Sequence, residues 1–309
     1  MHLVGMIFPI FAIVVAGWLA GATGYLPRTL GASLTRFAYY IAMPALVFLT
    51  IGDETLHSLL DWRFLAAFGG GSLICFAVVM AIARFRPGAT FGTSAMIGAA
   101  ASMTNTAFVA LPILKALYGK PGVLAAAIAT VVIGAIMFPL LVVLLEIDRF
   151  GTSRTIRLGP LMRQIATNPV ILATVFALIW SYAAVGMPKP LESLLSILGD
   201  ALTPCALFAI GLELTIGELR ERLSFYLLLS AIKLVLMPIV VYALCRASGL
   251  GDTLTVAAVV CSAVPTAKSA FVLAAEYDVE KKMVGAVISM STLLSIVTLF
   301  VWLYLIHGA

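Results

Sequence analysis

The sequence predicts an all-α integral membrane protein: ten transmembrane helices arranged as two inverted five-helix repeats, with helices 4 and 9 broken. Three observations carry that expectation. The 309 residues are 62% hydrophobic and 11% charged, with a mean hydropathy of +1.13, whereas a soluble domain carries about 25% charge. Apolar runs of membrane-spanning length recur along the whole chain. Residues also match between the two halves at a fixed offset of 160.

At about 20 apolar residues per crossing the chain is filled by on the order of ten spans, which leaves no room for a soluble catalytic or nucleic-acid-binding domain. The net charge of +5 therefore reads as a topology signal, and no basic run is long enough to follow a phosphate backbone. Cys75, Cys205, Cys245 and Cys261 lie in or at the ends of apolar segments without CxxC spacing, which argues against a disulfide framework, a zinc site or any metal cofactor. The first apolar segment has no basic flank and no clear cleavage site, so it counts as a helix.

The spans fall at 4–22, 34–51, 64–83, 93–118, 121–145, 165–185, 193–214, 224–245, 253–277 and 283–306. Residues 1–145 form the first repeat, 146–164 a central basic loop, and 165–309 the second repeat. That loop holds Arg149, Arg154, Arg157 and Arg163 together with Gly151, Gly159 and Pro160. At the 160-residue offset Pro9 matches Pro169, Pro44 matches Pro204, Ser102 matches Ser262 and Thr106 matches Thr266. Matched prolines are informative because each interrupts a helix at the same place. Pro44 and Pro204 themselves read as simple kinks whose freed carbonyls neighbours satisfy.

An odd number of helices per repeat inverts the second relative to the first. Counting Lys and Arg on alternate loops, with Lys233 and Lys268 set aside as intramembrane, gives twelve on one side and five on the other. The positive-inside rule then puts the central loop in the cytoplasm and both termini outside.

Chemistry is expected where the helices break. The fourth span carries Ser102, Thr104, Asn105, Thr106 and Pro112 in the middle of an apolar run, a cluster that is costly against lipid. Pro112 frees the carbonyl of Phe108. The ninth span repeats the arrangement with Ser262, Pro265, Thr266, Lys268 and Ser269, and Pro265 frees the carbonyl of Cys261. Half-helix N-termini at such breaks carry partial positive charge and favour anions. Lys268 strengthens that preference, unless it pairs with Asp200 or Glu213. Lys233, with no broken helix around it, reads as a structurally paired lysine and a secondary candidate.

The run Asn105-Thr106-Ala107-Phe108-Val109-Ala110-Leu111-Pro112 resembles the Asn-Thr-Gly-Phe-x-Gly-x-Pro element of the auxin efflux carrier family. Leu273-Ala274-Ala275-Glu276-Tyr277 and the run from Ser291 to Thr298 are similar to that family's C-terminal signature. The resemblance spans the chain and implies a fold related to bile acid symporters. Helices 1, 2, 6 and 7 would be the scaffold and helices 3–5 and 8–10 a mobile transport domain, with substrate at the crossing of helices 4 and 9. It further implies a bacterial cytoplasmic-membrane secondary transporter that works by an elevator motion, with a small organic anion such as malonate as substrate and a homodimer as the unit. Both motif glycines are alanine here, Ala107 and Ala110, which allows less close backbone approach.

The resulting site expectation is Thr104, Asn105, Thr106, Pro112, Pro265, Thr266, Lys268 and Ser269 around a carboxylate. The crossing region has no Asp or Glu, which disfavours a carboxylate-rich sodium site. Coupling to protons, sodium or membrane potential stays open, with Asp200, Glu213 and Glu276 as candidates and a sodium-coupled symporter of amphipathic anions as the alternative. Two other classes fit the sequence less well. Gly249-Leu250-Gly251-Asp252 and Tyr277-Asp278 match intramembrane aspartyl protease motifs, but in reversed order and at span ends. A photoreceptor with a Schiff base on Lys268 fits ten spans poorly.

Overall fold

The computed structural model describes residues 2–52, 61–150, 163, 166–183, 186–214 and 222–307. Arg154, Arg157, Gly151, Gly159 and Pro160 of the central loop lie outside the described residues, as does Arg220 of the charge count. We number the helices α1 (His2–Ala22), α2 (Thr29–Gly52), α3 (Trp62–Arg84), α4 (Phe91–Ser102), α5 (Thr106–Tyr118), α6 (Lys120–Arg149), α7 (Pro169–Tyr182), α8 (Lys189–Glu213), α9 (Leu223–Ala247), α10 (Asp252–Ala263), α11 (Lys268–Glu276) and α12 (Lys281–His307). Six of these, α2, α3, α6, α8, α9 and α12, are long and apolar enough to cross a membrane. The fourth and ninth predicted spans are each two shorter helices, α4 with α5 and α10 with α11.

Several boundaries differ from the hydropathy reading. The second span starts at Thr29, because its first turns carry Thr29, Ser33, Thr35 and Arg36 and dilute the apolar signal. Helix continues through Glu146 to Phe150, so Glu146 is a helical residue and not the first of a loop.

The chain divides into two compact units. The first comprises Met1–Asp61, Ala107–Thr130 and Ala166–Leu214, and the second Trp62–Thr106, Val131–Ile165 and Thr215–Ala309. In the first unit α1 packs along the second half of α8, and α2 packs on α7 and α8. The α1–α8 approach depends on two glycines. A Cβ on Gly211 would lie 2.0 Å from the Val14 carbonyl oxygen, and one on Gly17 would lie 2.3 Å from the Phe208 carbonyl oxygen. Small residues permit this backbone-to-backbone packing, which dispersion rather than water expulsion must hold inside a membrane. Phe48 of α2 meets Trp180 of α7 edge on, at 6.0 Å between ring centroids.

In the second unit α3 packs on α4, α9 on α10 and α12, and α12 on α10 and α11. The start of α4 is capped by Thr90, whose hydroxyl accepts from the Thr93 amide at 3.0 Å. That hydroxyl donates to Asp148 at 3.4 Å, which sets a carboxylate against the positive end of α4.

Prolines inside the long helices follow a rule that hydropathy could not show. Four of the five π-turns among the described residues end two positions before a proline: 38–42 before Pro44, 106–110 before Pro112, 133–137 before Pro139 and 232–236 before Pro238. A proline lacks an N–H and its ring collides with the carbonyl four residues earlier. The wider π-turn swings that carbonyl aside while the helix continues. At Pro238 the displaced group is the Leu234 carbonyl, which accepts from Trp302 Nε1 of α12 at 2.8 Å. Pro204 instead sits just after an interruption at Ala201 that divides α8. Pro44 and Pro204 thus bend their helices by two different devices.

Two outcomes test this packing. Gly211→Ala forces a methyl group onto backbone that cannot yield, and is expected to cost about 1–3 kcal/mol, read as a lower thermal unfolding midpoint of the detergent-purified protein. Trp302→Phe keeps an aromatic ring, though a smaller one, and orphans the Leu234 carbonyl; a loss of about 1–3 kcal/mol is expected in the same measurement.

Candidate functional site: two paired helix breaks

Both breaks end a helix with hydroxyl groups turned back on their own backbone. Ser102 Oγ donates to the Gly98 carbonyl at 2.7 Å, and Ser262 Oγ donates to the Val259 carbonyl at 2.8 Å. Beyond these residues the chain is extended at Met103 and at Val264. The two extended segments pair with each other as a single antiparallel bridge between Thr104 and Thr266. The Asn105 amide donates to the Pro265 carbonyl at 2.9 Å, and the Ala267 amide donates to the Met103 carbonyl at 3.0 Å. Met103, Thr104, Asn105, Thr106, Pro265, Thr266 and Ala267 are all buried.

The orphaned helix-end carbonyls are satisfied one by one. Cys261 has Pro265 four residues on and therefore no helical donor; its carbonyl accepts from Thr104 Oγ1. The Ala100 carbonyl accepts from Thr266 Oγ1 at 2.7 Å. The Thr266 amide, lost to the helix, donates to Ser291 Oγ of α12 at 3.2 Å. The Ser262 carbonyl takes Lys233 Nζ at 2.5 Å. In a medium without water each of these bonds replaces a cost of several kcal/mol per unpaired group.

This geometry assigns parts to the expected residues. Thr104, Asn105, Thr106, Pro265, Thr266, Lys268 and Ser269 lie together in the second unit, whereas Pro112 belongs to the first. The fourth span breaks at Met103–Asn105; Pro112 is responsible for the π-turn downstream and not for the break itself. The partner of Thr266 across the bridge is Thr104, although the repeat offset matches it with Thr106. The hydroxyls of Thr104 and Thr266 spend their protons on the break. Lys268 and Ser269 open α11, whose N-cap residue Ala267 offers no side-chain oxygen. Both are half-buried. An ammonium at the N-terminal, positive end of a helix adds charge of the same sign, so the start of α11 favours an anion.

The carboxylates expected as coupling groups sit elsewhere. Asp200 is 65% exposed and pairs with Lys115 at 2.7 Å. Glu213 accepts from Thr35 at 3.5 Å. Glu276 is exposed at the end of α11. The protease-like aspartates each hold a neighbouring base: Asp252 lies 3.6 Å from Arg246, and Asp278 lies 2.8 Å from Lys281. The hydrogen bond and charge of Lys281 hold the Asp278 carboxyl below its usual range. A water-activating dyad needs two carboxylates facing each other, and these stand at opposite ends of the broken α10–α11 pair.

Two residues carry more than the sequence reading gave them. Ser291 belongs to a hydroxyl-rich face of α12 with Thr292 and Ser295, a polar periodicity in an apolar helix that was the available signal. Lys233 is paired, as expected of a structural lysine, but it sits in a π-turn and its bond reaches the second break.

Comparison with known proteins gives the chain a family. Residues 2–303 match the family described as membrane transport protein. The chain is 27% identical over 310 residues to a Rhizobium meliloti protein named "Putative malonate transporter", covering 99% of this chain and 97% of that one. It is 25% identical over 300 residues to an uncharacterized transporter of Methanothermobacter thermautotrophicus, covering 96% of each. A 150-residue stretch, 46% of the chain and 24% of its relative, is 29% identical to auxin efflux carrier component 3a of Oryza sativa. The chain is therefore a member of the membrane transport protein family that includes the auxin efflux carriers, a multi-pass transporter and not an enzyme.

Proposed function

We propose that the protein is a secondary transporter of a small organic anion, a carboxylate or short dicarboxylate such as malonate, across the bacterial cytoplasmic membrane. The observation that carries this reading is the pairing of two helix breaks within one compact unit, with Lys268 and Ser269 at the start of the half-helix that follows the second break. A helix N-terminus with an ammonium beside it suits a carboxylate. Asn105, on the facing segment, can donate through its amide group and fix the orientation of the substrate. Thr106 and the frame residues Thr104, Pro265 and Thr266 shape the wall. The name of the Rhizobium meliloti relative supports a dicarboxylate.

The same reading includes an elevator-type motion of the unit that holds both breaks. Its support is that the four hydrogen bonds described above between the breaks fall within that unit. Such a frame can travel with its substrate without exposing backbone to lipid. A homodimer and both termini outside belong to the same proposal.

Uptake of labelled malonate, other short dicarboxylates and an aromatic monocarboxylate into proteoliposomes tests it, with pH, sodium and voltage gradients applied in turn. Lys268→Ala and Asn105→Ala are expected to lower uptake by about 10- to 100-fold at subsaturating substrate, the loss of one charge-assisted or buried hydrogen bond. Unimpaired uptake in Lys268→Ala would remove the lysine from the substrate site, and no anion uptake by the wild type would remove the substrate class.

A further inference from the structure

Lys233 is the one fully buried member of the Asp, Glu, Lys and Arg set among the described residues. A buried ammonium is ordinarily answered by a carboxylate, yet none is buried in the described structure. Its titratable neighbours among the described residues are the thiols of Cys75 and Cys261. Its Nζ bond goes to a backbone oxygen, the Ser262 carbonyl, in the last turn of α10. That is the negative end of a half-helix, where a cation is favoured.

The surrounding carbonyls complete the picture. An unwound break that ends a half-helix offers carbonyl oxygens to an alkali cation, the usual arrangement of ion-coupled transporters. In this chain five of those oxygens accept a donor from within. Cys261 is taken by Thr104, Ala100 by Thr266, Met103 by Ala267, Pro265 by Asn105 and Ser262 by Lys233. The Ala101 carbonyl faces Cys75 Sγ at 3.7 Å. The lysine reaches the break because the π-turn at 232–236, imposed by Pro238, shifts its Cα out of α-helical register, and that turn packs on α10, α4 and α12.

We propose that Lys233 is a tethered cation: its ammonium occupies the position at the end of α10 that an alkali ion would fill, so the paired breaks are complete without sodium. This rests on reading the breaks as the working centre of the transporter, but not on any particular substrate. The lysine is a positioning residue, acting on transport through the break it holds.

The test is a thermal unfolding series on the full-length protein in detergent, with choline, sodium, potassium, lithium or ethylammonium chloride at equal ionic strength. No transported substrate is involved, so a failed uptake experiment leaves this result intact. Wild type is expected to give one midpoint in all five salts. Lys233→Ala is expected to unfold earlier in choline and to recover by roughly 5 °C in saturating sodium or ethylammonium, the response of a protein with a newly vacated cation site. Lys233→Met keeps most of the stem, ends one atom short of Nζ and carries no donor for the Ser262 carbonyl, and is expected to show the same cation response should the alanine variant not fold. Stabilisation of the wild type by sodium would overturn the proposal, because the site would then be open. A variant that folds and responds to none of the cations would overturn it equally.

Discussion

The constraint on which the second unit depends is that a helix interrupted in hydrocarbon must find partners for its backbone without water. The bridge between Thr104 and Thr266 is the solution. Each break is the other's partner, through two amide bonds and two hydroxyl bonds that cross between them. Neither half-helix end could persist alone, since several unpaired groups would each carry the cost of burying a polar atom. The arrangement also explains why the polar residues here are small. Serine and threonine reach carbonyls one turn away or across the bridge, and longer side chains would hold the segments apart.

A second layer of the design lies in how the unbroken helices bend. Proline in a membrane helix is tolerated when the displaced carbonyl finds another donor. In α9 the π-turn before Pro238 frees the Leu234 carbonyl for Trp302, and the same turn carries Lys233 to the Ser262 carbonyl. One proline thus fixes two contacts on different neighbours. The first unit shows the opposite device, with Gly17 and Gly211 allowing α1 and α8 to touch through backbone.

Much of this was legible in the sequence, and the illegible part has physical reasons. Composition and apolar runs located the helices, and the polar clusters at Ser102–Thr106 and Ser262–Ser269 located both breaks, because polar groups in an apolar run need a reason to be there. The release of the Cys261 carbonyl followed from Pro265 alone; its acceptance of Thr104 did not, since cross-break pairing is a tertiary fact. A fixed repeat offset matched Thr106 with Thr266, whereas the bridge selects Thr104, because register across a break is set by hydrogen bonds and not by sequence spacing. The π-turns were invisible because hydropathy carries no information on whether a helix closes its rings at four residues or five. Lys233 reads as secondary for a related reason: the turn that redirects it is marked only by Pro238, and a proline inside an apolar run does not by itself tell a π-turn from a kink. The whole-chain family match supports the family resemblance read from the Asn105–Pro112 run.

The long C-terminal helix α12 has a consequence for biosynthesis. Its Ser291 receives the Thr266 amide and its Trp302 serves the Leu234 carbonyl, so two groups left orphaned by earlier segments are satisfied by residues translated after both. At about 1.5 Å per residue these two contacts stand roughly 16 Å apart on one rigid rod. Until that rod is inserted, the broken helix and the π-turn hold open valences inside the bilayer. The second unit therefore cannot mature in the order in which it is made: its centre waits for α12, and the insertion of that later helix is also the event that closes the frame.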